Sequence, residues 1–260
     1  MNKVFRDMTG REVKIDIPPK RIVSLVPSQT ELLHDLGLEE EVVGITKFCV
    51  HPEVWFRNKN RVGGTKQLHL DKIRQLQPDL ILANKEENEK DQIEMLSREF
   101  PVWISDIKTI EDGLTMIGRV GEMVGKKTQA AGLITDIQNA WAGFPKSSAK
   151  LQVAYFIWYE PWMVAGGDTF INDTIEKIGW TNVFANQMRY PEVALQTLQD
   201  TSFDLILLSS EPFPFCEKHI AEIQLLLPRA RVLLVDGEMF SWYGSRMLPA
   251  ISYFEKLLEA

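Results

Sequence analysis

Short apolar runs alternate with amphipathic stretches over the first hundred residues. Arg21–Val26 (RIVSLV), Val42–Thr46 (VVGIT), Asp79–Ala83 (DLILA) and Val102–Ser105 (VWIS) are short, β-branched and punctuated by Pro or Gly, which predicts buried strands. Between them TELLHDLG, LDKIRQLQ and NEKDQIEMLSREF carry helical spacing, the first ending on a Gly and the others ahead of Pro78 and Pro101. Such alternation predicts parallel strand pairing and an α/β lobe.

The middle of the chain changes character. From Thr109 to Phe144 only helical periodicity is present, and after Gly125 the residues Leu133, Ile134, Ile137, Ala140, Trp141 and Phe144 share one face. Roughly nineteen residues at 1.5 Å each predict a rod of ~28 Å, long enough to bridge two lobes. Pro145 and the polar residues behind it end that helix.

Alternation then resumes. Val153–Trp158 and Trp162–Ala165 read as strands, DTFINDTIEKIG as a helix opening on Asp168 and closing on Gly179, and Asp204–Leu208 and Val232–Val235 as further strands. Helices are expected near Glu217–Leu226 and from about Ser245 onward. Leu70–Glu87 (LDKIRQLQPDLILANKEE) is echoed by Leu195–Pro212 (LQTLQDTSFDLILLSSEP): a short helix, an Asp-Leu-Ile-Leu strand, then a polar loop with acidic residues. The echo predicts two similarly built halves. The expected fold is α/β, with two Rossmann-like lobes of mainly parallel sheets joined by a single long interdomain helix. The N-terminal lobe spans 1–124, the helix 125–146 and the C-terminal lobe 147–260. Ligands of such units sit beyond the carboxyl ends of the strands, so lobes that face each other would share one cleft.

Composition narrows the function. The hydrophobic fraction of 45% and charged fraction of 25% suit a soluble folded protein, and a net charge of -7 without a basic stripe excludes a nucleic-acid surface. No stretch approaches the roughly twenty apolar residues of a membrane span. The opening MNKVFRDMTGREV lacks the apolar core of an export signal, so the chain as it stands is expected to be cytoplasmic unless a leader was removed. Cys49 and Cys216 are too far apart for a zinc pair or redox motif and are expected as free thiols.

Candidate chemistry gathers in the loops after the strands. Ser28, in Pro27-Ser28-Gln29-Thr30-Glu31, can cap the following helix or meet an acidic ligand group. Phe48 is a candidate ligand contact. Its neighbours Cys49 and His51 are candidate soft-metal donors, whereas His34, His69 and His219 are read as lacking ligand spacing. Gly63-Gly64-Thr65-Lys66 is a glycine turn without a phosphate-loop motif, and Lys85-Glu86-Glu87-Asn88 is a candidate rim. The second half is richer in loop aromatics: Trp158, Tyr159 and Trp162 bracket Glu160-Pro161, Tyr190 follows Arg189, and Phe213, Phe215 and Trp242 lie near Glu211 and Glu238. Aromatics in Pro- and Gly-containing loops suit a large, flat, partly apolar ligand.

RIVSLVPSQTELLHDLGLEEEVVGIT, followed by GG and DKIRQLQPDLILA, resembles the opening lobe of ABC-transporter substrate-binding proteins with a helical backbone. The likeness runs from about Asp7 to the C-terminal end. That family takes up vitamin B12, haem and iron–siderophore complexes, and the present segments are most similar to its vitamin B12 binders. The resemblance implies a periplasmic monomer without intrinsic cofactor or catalysis that clamps a metal chelate, cobalamin or a related corrinoid, for an ABC permease. It implies ligand contacts at Phe48, Trp162, Tyr190 and Glu238; on the residues themselves, Lys66, Arg189, Glu211 and Glu238 are expected to meet polar substituents. Ser28, Glu86, Phe213 and Trp242 complete the expected set. Lys66 and Trp242 depart from the B12 binders, which carry a tryptophan and an arginine at these places. Asp71 matches an acidic residue that docks on the permease, while Gln196 replaces the second such acid. Two alternatives stand beside this reading. One is an iron–siderophore or haem receptor; the other is an intracellular corrinoid- or metal-handling protein or enzyme using Cys49 and His51.

Overall fold

The computed structural model describes residues 2–259, so Met1 and Ala260, the outer bounds of the two expected lobes, lie outside the described residues. It opens on an antiparallel hairpin, β1 (Asn2–Arg6) with β2 (Glu12–Asp16), that the sequence reading missed. Phe5, Val13 and Ile15 are its buried positions, and the alternation that drives it lies in a mostly charged stretch. Asp7 closes the turn by accepting from the backbone N–H groups of Thr9 and Arg11 at 3.0 and 2.9 Å.

The four strand runs read in the first half form where the pattern places them, and a short fifth strand, Asn60–Arg61, was not foreseen. β3 (Ile22–Ser24), β4 (Val42–Ile45), β5 (Asn60–Arg61), β6 (Leu80–Asn84) and β7 (Val102–Ser105) make one parallel sheet in the order β5-β4-β3-β6-β7. β3 and β6 are buried at every position, as central parallel strands covered on both faces must be. The helices between them are α1 (Pro27–Asp35), α2 (Glu53–Asn58), α3 (Leu70–Leu76) and α4 (Lys90–Ser97). α1 ends where Gly37 takes a φ of +75°, open to a residue without Cβ. Ser28 does not cap α1. Pro27 already occupies the first turn and no side chain caps the helix.

The long helical middle is two helices, α5 (Ile110–Met123) and α6 (Lys127–Gly143), broken at Gly125 with a φ of +73°. Gly121 lets them touch, because a Cβ there would stand 2.2 Å from that of Ala130.

In the second half β8 (Gln152–Trp158), β10 (Thr181–Asn182), β11 (Leu205–Ser209) and β12 (Arg231–Val235) form a parallel sheet in the order β10-β8-β11-β12. The short β9 (Met163–Val164) pairs antiparallel with β8. Successive residues of β8 and β11 serve opposite faces: Val153, Tyr155, Leu205 and Leu207 enter one core, Ala154, Phe156, Ile206 and Leu208 the other. The helices are α7 (Phe170–Ile178), α8 (Leu195–Asp200), α9 (Glu217–Leu226), α10 (Gly237–Ser241) and α11 (Met247–Glu259). The cap of α7 is Thr169, whose hydroxyl accepts from Asn172 N–H, rather than Asp168.

The repeated Asp-Leu-Ile-Leu segment has a physical cause. Asp79, just before β6, accepts the backbone N–H groups of Lys20 and Arg21 at 2.7 and 2.8 Å, fixing the start of β3. Asp204, just before β11, accepts that of Gln152 at 2.7 Å, fixing the start of β8. The same carboxylate sets the register of the central strand pair in both halves.

By contact density the chain forms two units. One comprises residues up to Asp106, Glu111–Asn139 and Tyr243–Arg246; the other comprises Ile107–Ile110, Ala140–Trp242 and Met247 onward. α6 begins in the first unit and ends in the second. The Tyr243–Arg246 segment belongs to the first by specific bonds: Tyr243 O–H donates to Glu87 at 3.0 Å, and Arg246 grips Glu31 at 2.9 and 2.6 Å.

Candidate ligand-binding site

In the first unit the loops at the carboxyl end of the sheet are built on buried polar anchors. Asn84, the last residue of β6, accepts the N–H groups of Glu86 and Glu87 at 2.8 and 3.1 Å, and Asn88 accepts that of Asn84 at 2.8 Å. The rim holding Glu86 is therefore fixed by its own backbone. Lys66 joins it, its ammonium donating to the Glu86 carbonyl at 2.8 Å and pairing with Glu89 at 3.3 Å.

Phe48 stands beside this rim with half its surface exposed. Its ring lies over Gly64, where a Cβ would come within 3.1 Å, and Lys47 Nζ is 5.0 Å from the ring centre. Gly63, with a φ of +107°, turns the chain tightly enough to bring Gly64 there. Beneath Phe48 the Cys49 thiol is fully buried, 3.1 Å from the hydroxyls of Thr30 and Thr46. Burial pushes the thiol up to about 11, with the two threonines opposing the rise. Cys49 thus stays protonated and pins the Phe48 loop. The soft-metal role expected of Cys49 with His51 asks for a thiolate open to a ligand, whereas this sulfur faces the core. Among the described residues no group of three or more His, Cys, Asp or Glu side chains is arranged around a metal position. Ser28 is buried rather than presented to solvent.

The second unit carries a wall of rings at its strand ends. Trp158, at the end of β8, is 38% exposed and meets Phe213 at 5.7 Å between centres. Phe213 continues to Phe215 at 4.8 Å, to Tyr159 at 5.7 Å and to His219 at 5.3 Å. Trp162 faces inward, edge-on to Phe156 at 5.6 Å and to Tyr159 at 4.8 Å, and takes part in packing against Leu198 and Ile223.

Arg189, at a left-handed φ of +60°, is held by its own N–H donating to Asp168. The Asp168 carboxylate also faces Lys108 Nζ and Arg189 Nε at 3.6 and 3.7 Å. Gly166 makes this approach feasible, since a Cβ there would stand 2.9 Å from the Arg189 carbonyl. Tyr190 packs half-buried against the core.

Glu238 sits in the first turn of α10 near Glu211. Glu211 accepts from Ser241 O–H and from the Trp242 indole N–H, each at 2.8 Å. Burial, with repulsion from Glu238 and Asp236, raises the Glu211 pKa against those two donors. Trp242 is only 6% exposed, and its indole N–H is given to Glu211.

Residues 22–223 match the model of the periplasmic binding protein family. The chain belongs to that family. Its members bind solutes for transport and are not enzymes. A vitamin B12-binding protein of Pectobacterium carotovorum is 24% identical over 240 residues, covering 89% of this chain and 86% of the relative. An ABC transporter substrate-binding lipoprotein of Bacillus subtilis, itself uncharacterized, is 27% identical and covers 98% of this chain and 83% of its own length. The crystal structure of a periplasmic haem-binding protein from Pseudomonas aeruginosa superposes with a TM-score of 0.78 at 20% identity, covering 92% of each chain. Among the described residues no helix is long and apolar enough to cross a membrane.

Family membership removes the enzyme alternative built on Cys49 and His51. Sequence reasoning also overlooked a pair. Cys216-Glu217-Lys218-His219 has the spacing of neighbours on one helix turn, and the two side chains meet at 3.3 Å.

Proposed function

We propose that this protein binds a metal-chelate ligand, cobalamin or a related corrinoid, and delivers it to an ABC permease. The observation that supports this best is the aromatic surface at the strand ends: exposed Phe48, on a loop held by the buried Cys49, in one unit, and in the other exposed Trp158 at the end of β8 against half-buried Phe213. Rigid rings held at strand ends suit a planar, partly apolar macrocycle and give up little entropy on binding. Lys66, Glu86, Arg189 and Glu238 supply polar groups for its side chains, while Ser28, Trp162, Tyr190 and Trp242 support the rings and loops around them. The vitamin B12 binder among the relatives favours the corrinoid, and the substrate-binding lipoprotein favours the permease and a location outside the cytoplasmic membrane.

Asp71, on the first turn of α3 with its side chain 92% exposed, is the acidic residue offered to the permease. Arg74 lies 2.9 Å away and Gln196 stands at the corresponding place in the other unit, so docking would lean on the first unit.

Haem or a ferric siderophore is the second reading, supported by the likeness to a haem-binding protein in fold. Titrating the purified protein with cyanocobalamin, hemin and a ferric hydroxamate, followed by tryptophan fluorescence, separates them. Saturable binding of cyanocobalamin alone supports the first reading; binding of hemin or the hydroxamate alone replaces it with the second.

A further inference from the structure

The loop after β6 is shaped by local bonds and seated by distant ones. Asn84 Oδ1 accepts the N–H groups of Glu86 and Glu87, which closes the turn. Longer-range ties hold its far end. Asn88 Nδ2 donates to the carbonyls of Leu25 and Thr65 at 3.3 and 3.1 Å, and the Tyr243 hydroxyl donates to Glu87 Oε1 at 3.0 Å. A hydroxyl donating to a carboxylate is among the stronger side-chain bonds.

The Tyr243 end of that bond is the better fixed one. Tyr243 is 6% exposed, whereas Glu86 and Glu87 are only half-buried. Behind Tyr243, Gly244 takes a φ of +100° and presses on the first turn of α1, where a Cβ would come within 3.3 Å of the Ser28 carbonyl. Arg246 then clasps Glu31 on the same helix. The segment Tyr243–Arg246 is thus a fixed post against which the loop leans. What the loop offers a ligand depends on where its far end stands. Glu86 is the neighbour of Glu87, and Lys66 is placed by its bond to the Glu86 carbonyl and by the hold of Asn88 on Thr65.

We propose that Tyr243 is a positioning residue for the ligand: acting through Glu87, it sets the place of Glu86 and Lys66. This rests on the reading of Glu86 and Lys66 as ligand contacts and deepens it by adding a residue that works from behind the rim.

Tyr243→Phe keeps the buried ring and removes the one O–H, so the fold should stand by circular dichroism. Amide exchange followed by NMR in the ligand-free protein reads the rim directly. Glu86 and Glu87 should exchange about tenfold faster in the variant while the amides of β11 hold. Cyanocobalamin affinity by calorimetry should fall ~10-fold. That loss should vanish when Tyr243→Phe is made in a Glu87→Leu background, because the bond is already gone; a general loosening of the fold would carry over to that background in full. Unchanged exchange at Glu86 and Glu87, unchanged affinity, or an equal affinity loss in both backgrounds overturns the role of Tyr243 and leaves the proposed function intact. Faster exchange in a protein that binds no cyanocobalamin sustains the hold on the rim and overturns the corrinoid reading.

Discussion

Replacing Arg246 with alanine strips the Glu31 carboxylate of a two-pronged partner and leaves the acid where it is. Arg246 Nε and Nη2 stand 2.9 and 2.6 Å from its oxygens, and the two side chains are only 12% and 17% exposed. Removing one member of a buried pair costs ~3–5 kcal/mol, and the remaining water contact brings this to roughly 2–3 kcal/mol. Burial raises the Glu31 pKa above its ordinary value, with Arg246 opposing the rise. A carboxyl whose folded pKa exceeds its unfolded one contributes stability below the unfolded pKa and loses it as pH climbs through the folded pKa. Without Arg246 the folded pKa moves further up. Arg246→Ala should therefore cost its full amount at about pH 7 and much less at about pH 4, where the acid is largely protonated. Urea denaturation followed by circular dichroism at both pH values measures this, and adding Glu31→Gln should recover most of the loss at the higher pH. A loss below about 0.5 kcal/mol, or an equal loss at both pH values, would refute the reasoning.

Three further outcomes are expected. Phe48 leaves half of a side chain of ~200 Å² uncovered, so ligand coverage is worth ~2.5 kcal/mol; Phe48→Ala should weaken cyanocobalamin binding ~60-fold by calorimetry without lowering the melting temperature. Gly121→Ala should destabilise by ~1–3 kcal/mol in denaturant because its Cβ would stand 2.2 Å from that of Ala130, whereas Gly132→Ala, with open space around it, should stabilise by ~0.5–1 kcal/mol. Iodoacetamide applied to the native protein should label Cys216 and spare Cys49 by peptide mass mapping, and labelling of Cys49 at a similar rate would contradict the buried anchor under Phe48.

The architecture was legible because its determinants are local and strong. β3, β6 and β11 are buried on both faces, so their apolar residues run consecutively up to one polar residue, Ser24, Asn84 and Ser209, at the strand end. The repeated Asp-Leu-Ile-Leu segment was visible as a pattern, but its cause is a bond to a distant strand start and needed the fold. The β1–β2 hairpin escaped because its few inward residues are diluted by charges on the solvent face. At the strand ends the residue types were readable and their orientation was not. Phe48 and Trp158 do present rings to solvent, but Trp242 spends its indole on Glu211 and Cys49 turns into the core. Cys216 and His219 lie three residues apart and were passed over because their pairing depends on where α9 begins. The bonds from Tyr243 and Arg246 to Glu87 and Glu31 span more than 150 residues and leave no local trace.

Equilibrium dialysis of the purified protein against cyanocobalamin, with hemin and a ferric hydroxamate run alongside, tests the central claim most directly. The account predicts saturable, one-to-one retention of cyanocobalamin well below tens of micromolar. Retention of none of the three at tens of micromolar would contradict it.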